Sequence, residues 1–334
     1  MCHHSPCHPL VGWLALALSL VLAALSPTFS RADGPTPETV PPLANVVPAD
    51  LPASAVAVAN DGLTLDRASL PAALQVGQPW SSPSALPHYG VDGKRRGLED
   101  VEMDGQRADG RLLRPDFVIG DDNRSRVTTT GSYPWSAIVH LEMTFPRGSG
   151  TCTAWLIGPH TVATAGHCVY GAEEGGWATR VRVLPGRNGG QLPFGAVYAT
   201  RLWAARDWTA TEAPAADYGA IKIGTDLGTQ TGWFGFRADS DATLQGVTLN
   251  TAGYPGDKPF GTQWFTYGRV TRLSRSEVYF DLDIWSGQSG SPAWRRSGDT
   301  RTVVAIVAYG SRPYNFGTRI TDAVAGFLAA ALQG

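Results

Sequence analysis

After Val118 the chain becomes a succession of short apolar or alternating runs set between turn words, and this pattern limits its possible folds more than any other feature. Residues 137–141, 180–184, 219–223 and 303–307 are such runs, each of strand rather than helix length. Turn words such as Pro185-Gly186-Arg187-Asn188-Gly189-Gly190 and Pro255-Gly256-Asp257 punctuate them. Short strands at even spacing, without helical periods between them, predict a barrel or sandwich. With 39 Gly and 24 Pro among 334 residues and only 17% charged side chains, the composition fits a turn-rich β protein better than a helical one. Only the end reads as helical. There Asp322 is expected to cap residues 323–332, in which Val324, Phe327, Leu328 and Leu332 share one face.

The part before Val118 differs in texture. Residues 11–25 are an unbroken run of apolar and small residues, too short to span a bilayer comfortably, and Ser30-Arg31-Ala32 follows as a small-x-small cleavage site. Residues 1–32 are therefore expected to be an export signal, although no Lys or Arg precedes the apolar run. Pro35, Pro37, Pro41, Pro42, Pro48 and Pro52 break regular structure beyond it, and residues 94–114 are charge-rich. Residues 33–117 cannot bury much core by themselves and are expected to be a partly disordered propeptide, with Lys94-Arg95-Arg96 as one processing site. Cys2 and Cys7 would leave with the signal. The remaining pair, Cys152 and Cys168, is expected to form a disulfide, as even cysteines do in exported chains. No His or Cys lies beside them at metal-ligand spacing, so neither metal nor cofactor is expected. The formal net charge of -2 speaks against a nucleic-acid partner.

Two words then suggest chemistry. Thr164-Ala165-Gly166-His167-Cys168 ends an apolar run in a tight turn, and Gly287-Gln288-Ser289-Gly290-Ser291-Pro292 follows far downstream. Acyl transfer needs a hydroxyl activated by an imidazole, itself held in one tautomer by a buried carboxylate. His167 is the base candidate and Ser289 the nucleophile. Asp217 sits where a polar connection meets the apolar run Gly219-Ala220-Ile221, so it can be half buried beside the imidazole. Asp207 and Asp226 compete without a comparable strand after them. Gly287 lets the backbone turn so that its N–H and that of Ser289 point at one spot, an oxyanion hole. Ser291 occupies the place where the Gly-x-Ser-x-Gly word of α/β-hydrolases has its second Gly, and the order His, Asp, Ser is not that of those enzymes.

On these residues the chain resembles the bacterial glutamyl endopeptidases, V8-like members of the trypsin/chymotrypsin superfamily. Further shared words are 118–124, Asp217-Tyr218-Gly219-Ala220-Ile221, 253–258 and Gly317-Thr318-Arg319-Ile320. The resemblance implies an all-β fold of two six-stranded antiparallel barrels with a C-terminal α-helix over residues 118–334. It also implies secretion as a precursor that matures near Val118. Trypsin-like zymogens mature when a new amine pairs with an Asp just before the nucleophile. Gln288 stands there and cannot form that pair. Glutamyl enzymes hold a Glu side chain with a His and a Thr. Val307 and Ile284 stand in those places, and neither can donate a hydrogen bond. A carboxylate buried without a donor costs several kcal/mol, so strict Glu preference is expected to be lost. Asp283 falls where trypsins keep their selector for basic residues, leaving apolar, basic and Glu preferences as the alternatives. Tyr309 and Gly310 are expected to offer backbone groups to an extended substrate. The expectation is a secreted, extracellular, monomeric serine endopeptidase acting on proteins or peptides, with no nucleic-acid partner and no membrane association after signal removal. A catalytically silent homologue that binds peptides, or an esterase, are the competing expectations.

Overall fold

The computed structural model describes residues 40–46, 55–66, 118–311 and 314–333. The expected signal segment and Lys94-Arg95-Arg96 lie outside the described residues. In chain order the strands are β1 (Ala55–Ala59), β2 (Thr64–Asp66), β3 (Ser125–Arg126), β4 (Ile138–Phe145), β5 (Gly148–Gly158) and β6 (Thr161–Thr164). Next come β7 (Tyr170–Gly171), β8 (Gly176–Trp177), β9 (Arg180–Pro185), β10 (Val197–Ala205), β11 (Gly219–Ile223) and β12 (Gly235–Phe236). The last six are β13 (Thr248–Gly253), β14 (Trp264–Leu273), β15 (Glu277–Phe280), β16 (Pro292–Ser297), β17 (Thr300–Ser311) and β18 (Tyr314–Arg319). The four apolar runs noted above fall within β4, β9, β11 and β17, apart from Ala137 at the lip of β4.

Six strands close the first barrel in the order β11-β6-β5-β4-β9-β10, with β10 returning to β11 through pairs such as Leu202↔Ile221. Six more close the second in the order β17-β16-β13-β14-β15-β18, with β18 returning to β17. Closure leaves few open sheet edges, which so apolar a sheet could not safely expose; part of one edge of β10 is left unpaired by β9. The two antiparallel barrels are those the family resemblance implies.

Residue size sets where the core lies. Trp155, Trp177, Trp203 and Trp294 are fully buried. Each removes on the order of 150–250 Å² from water, about 4–6 kcal/mol of transfer free energy as an upper estimate. The larger cluster fills the first barrel and crosses to Phe265 and Trp294 of the second. A smaller one, around Leu249, Phe280, Leu282 and Val304, fills the second barrel.

The C-terminal helix, Asp322–Gln333, packs on the first barrel. Phe327 meets Tyr218 edge-on at 5.0 Å between ring centroids. Lys222 of β11 donates to the carbonyls of Ala331 (3.2 Å) and Leu332 (3.4 Å), supplying partners for the helix end. The cap differs by one residue from the sequence expectation: the Val324 N–H donates to Thr321 Oγ1 at 3.3 Å, and Asp322 sits in the first turn. A side chain three residues before the amide has the reach that an N-cap requires, and Thr321, not Asp322, stands there. No helix among the described residues is long and apolar enough to cross a membrane.

A second difference concerns residues 33–117. No strand is expected there from sequence, yet β1 adds to β10 outside the six-stranded closure, and Ala57, Val58 and Ala59 are fully buried. A five-residue Ala/Val run has too little apolar surface to fold alone. It becomes a strand because the first barrel offers an edge and an apolar wall.

Candidate active site

Strand β6 delivers the first word. Ala165 leaves it in extended geometry, and Gly166–Cys168 form one 3₁₀ turn that projects His167. Cys168 is joined to Cys152 of β5 with Cα atoms 6.1 Å apart, fixing the turn to the barrel wall. Gly166 has no room for a side chain. A Cβ there would lie 2.9 Å from the Trp208 ring and 3.1 Å from Asp217 Oδ1.

Asp217 follows the 3₁₀ turn Pro214–Ala216 and opens the connection into β11. It is completely buried, and both oxygens face the histidine. Oδ1 accepts the His167 backbone N–H at 2.9 Å, and Oδ2 lies 2.8 Å from Nδ1. Burial alone would push this carboxyl up. The charge of His167, its hydrogen bond and one from Tyr309 outweigh burial and hold the carboxyl below its ordinary value. The His167 imidazole responds in mirror image: burial pulls it down, while the Asp217 charge and hydrogen bond raise it, for a net upward shift. With Nδ1–H directed at the carboxylate, the lone pair is on Nε2. The ring is 31% exposed, so that side is reachable.

The second word forms a tight loop between Ile284 and β16. The Gln288 N–H donates to the Trp285 carbonyl, and Gln288 Oε1 accepts from the Trp285 N–H at 2.9 Å. Gln288 is therefore buried as an internal brace of the loop. The Gly290 N–H donates to the Val307 carbonyl and that of Ser291 to the Gln288 carbonyl, while the Gly287 and Ser289 amides have no partner among the described residues. Gly287 has φ +95°, and a Cβ there would lie 2.6 Å from the Tyr254 carbonyl oxygen. Gly290 has φ +84° and packs onto the Thr153 carbonyl, the Thr164 hydroxyl and the Ala165 amide, just before His167. Thr153 of β5 stitches the loop to the first barrel. Its N–H donates to the Ser289 carbonyl at 2.8 Å and its hydroxyl to the Gly287 carbonyl at 2.9 Å. Cys168 Sγ lies 3.7 Å from the Ser289 carbonyl oxygen. The serine that both barrels hold beside the histidine turn is half-buried.

The specificity residues fare differently. Ile284 and Val307 are 3% and 1% exposed and belong to the apolar core of the second barrel. Asp283 has partners that the sequence did not suggest. Its two oxygens accept the backbone N–H groups of Ile119 and Asn123, each at 2.8 Å. Burial pushes this carboxyl up against the pull of those amides. It anchors residues 119–123 and does not present a bare carboxylate. A residue 160 positions earlier is not visible as a partner in local sequence. Tyr309 and Gly310 are half-buried on β17, beyond the last β16 pair at Ile306, with β18 on one edge only. The opposite edge can take an extended peptide.

Sequence reasoning missed four contributors. Trp208 lies against Gly166 with its ring 6.3 Å from that of His167. The Tyr309 side chain also stands beside the pair, its ring 6.2 Å from that of His167. Thr153 holds the loop of Gly287 and Ser289. The Thr318 hydroxyl of β18 donates to the Asp217 carbonyl at 3.1 Å, a bond between barrels. Thr318 carried a signal inside the word Gly317-Thr318-Arg319-Ile320, Thr153 lies in the block from Cys152 to Cys168, and Tyr309 was expected to act through its backbone; Trp208 carried none.

Known proteins agree with this architecture. Residues 152–306 match the trypsin-like peptidase domain. A glutamyl endopeptidase of Bacillus licheniformis is 40% identical over 215 residues, covering 62% of this chain and 66% of that protein. A Bacillus subtilis protein described as an extracellular metalloprotease is 38% identical over 217 residues, covering 64% of this chain and 69% of its own length. Among solved structures, a Glu endopeptidase in complex with MPD superposes with a TM-score of 0.60 at 30% identity, over 65% of this chain and all of its own. The word metalloprotease finds no matching donor set here. Among the described residues the one group of three potential ligands is Cys152, His167 and Cys168. Its two sulfurs are bonded to each other, and the histidine's Nδ1 is engaged by Asp217. By the matched domain, by its identity to these relatives and by its superposition on the Glu endopeptidase, the chain belongs to the trypsin-like serine peptidases, in their glutamyl endopeptidase-like branch.

Proposed function

We propose that this enzyme is a secreted serine endopeptidase, made as a precursor, that cuts through a His167–Asp217–Ser289 triad. The observation that carries this is the buried Asp217 clamping His167 through both its amide and Nδ1, beside a serine loop with two unpartnered amides. His167 Nε2 takes the Ser289 proton as Oγ attacks the scissile carbonyl. The oxyanion is received by the Gly287 and Ser289 N–H groups, worth a few kcal/mol. His167 then passes the proton to the leaving amine. Water repeats the sequence on the acyl-enzyme. A purely binding homologue has no use for such a constellation.

Secretion is supported by the apolar leader and by the extracellular description of the Bacillus subtilis relative. Maturation near Val118 would leave residues 119–124 anchored without any ion pair at Gln288. Asp283 holds two of their amides, and the Arg124 guanidinium bridges Asp122 and Asp257. For the substrate, the apolar side chains of Ile284 and Val307 favour an apolar or broad P1 preference over strict Glu. With its oxygens engaged by backbone amides, Asp283 gives little support to a basic one.

Labelling with a fluorophosphonate, with and without Ser289→Ala, tests the nucleophile. Label and casein cleavage should both vanish, with kcat falling by about 10⁶-fold. Retained labelling of the variant would remove Ser289 from the mechanism. Cleavage profiling on a mixed peptide pool tests specificity, and a clean P1 Glu signal would overturn the argument from Ile284 and Val307.

A further inference from the structure

The geometry points to residues 40–46 and 55–66 as a lasting part of the first barrel, staying bound within a short second chain after the precursor is cut between residue 67 and Val118. This rests on the precursor reading above.

The segment completes a strand edge. β9 pairs with β10 only at Val197 and Tyr198, leaving the far half of that edge open. β1 fills it antiparallel, with Ala57↔Ala205, Val58↔Ala204 and Ala59↔Trp203. The other edge of β10 is taken by β11. Asn60 then replaces a missing ladder partner. Its N–H donates to the Leu202 carbonyl at 3.1 Å, and its Oδ1 accepts the buried Leu202 N–H at 2.8 Å. A buried amide deprived of that acceptor would carry its full desolvation cost.

A second contact is independent of β1. Asn45 lies across β8, its Oδ1 accepting the Trp177 N–H and its Nδ2 donating to the Gly175 carbonyl, both at 2.9 Å. The carbonyl of Val46 accepts the Trp177 indole N–H at 3.1 Å. The Leu43 N–H donates to the Thr179 carbonyl at 2.6 Å. The catalytic unit is shaped for this contact. Gly176 has φ +102°, and a Cβ there would lie 2.6 Å from Asn45 Oδ1. Without the segment, Trp177 and Trp203, both fully buried, would lose cover.

An inhibitory propeptide covers the substrate edge and must leave. These partners lie on β8, β10 and the Thr179 connection of the first barrel, whereas the substrate edge proposed here is Tyr309 and Gly310 on β17. Substrate and segment can be bound together. β1 also packs beside the short helix Arg206–Thr211, whose Trp208 backs Gly166 and His167. Retention therefore supports the turn that carries the base.

The test uses the full chain carrying Ser289→Ala, to prevent self-digestion, and a recognition sequence for a site-specific protease in place of residues 93–97. After cutting, size exclusion and native mass spectrometry should show both pieces as a 1:1 complex that separates only in denaturant. A folded C-terminal piece migrating alone would overturn the proposal. Asn60→Ala in the same chain should speed release of the N-terminal piece by about tenfold; an unchanged release rate would count against the docking. The chains of the active secreted enzyme are then counted by intact mass. Full activity from 118–334 alone would also overturn retention. A secreted chain that is never cut would refute the precursor reading instead, while the engineered cut still decides whether the segment docks.

Discussion

At the scale of single residues, the site is a set of hydrogen bonds around one buried carboxylate. In the proposed triad His167 is a base only when neutral; burial pulls its pKa down, but Asp217 raises it above the ordinary value of about 6.5. Activity should therefore rise with pH through an inflection above that value. Asp217→Asn removes the charge that raises it, so the inflection should move down while kcat falls about 10⁴-fold. An unmoved inflection would mean that the carboxylate does not set the base. Tyr309→Phe removes the hydroxyl that helps to hold the Asp217 carboxyl below its ordinary value while keeping the ring, which stacks on Phe316 at 5.3 Å. A loss of about 1 kcal/mol should lower kcat roughly fivefold with KM little changed. A change in KM alone would place Tyr309 in substrate contact only. His167 and Ser289 were legible from short words, because a tight turn at a reactive side chain leaves a local imprint of Gly and small residues. The influence of Tyr309 on Asp217 was not, because the two residues lie far apart in sequence, on β17 and just before β11.

At the scale of elements, the strands were legible and their ends less so. β11 occupies the very residues that its apolar run marks, and β17 extends several residues beyond its run because β16, β18 and β12 all pair with it. Alternation reports burial, and pairing sets length. The helix cap at Thr321 is a similar case, since which side chain reaches Val324 depends on how the chain enters the helix. The Cys152–Cys168 link ties β5 to the histidine turn across a sequence separation of 16. Replacing both cysteines by Ser should cost about 3 kcal/mol by loop-closure entropy and lower Tm by roughly 6–12 °C. A calorimetric shift under 2 °C would show that the barrel alone holds the turn.

At the scale of the whole molecule, charged groups fasten the 119–124 segment to the second barrel. The Arg124 guanidinium, almost wholly buried, meets Asp122 at 2.9 Å and Asp257 at 2.5 Å, and Lys258 adds a bond to Asp122 at 2.6 Å. Its hydrogen bond to Arg124 holds the Asp122 carboxyl far below its ordinary value, against burial. A carboxylate depressed in the folded state stabilises above its unfolded pKa of about 4 and loses that contribution as pH falls. The urea midpoint should therefore drop below about pH 4, and Arg124→Gln should flatten that acid limb. A variant with the same pH slope as the parent would assign acid sensitivity to other groups.

The sequence by itself determined a turn-rich β fold of barrel or sandwich type, and through its resemblance to the glutamyl endopeptidases it pointed to the double barrel and to serine-peptidase chemistry. The triad words, the strand-length runs and the paired cysteines are local signals, written within a few residues of where they act. Tertiary structure decided what depends on residues brought together from afar. It turned Asp283 toward Ile119 and Asn123, placed Trp208 behind His167, and gave an Ala/Val run from the expected propeptide an edge of β10 to complete. Each of these is a matter of which hydrogen-bonding group or apolar wall closure of the barrels brings within reach, and linear order does not encode that proximity.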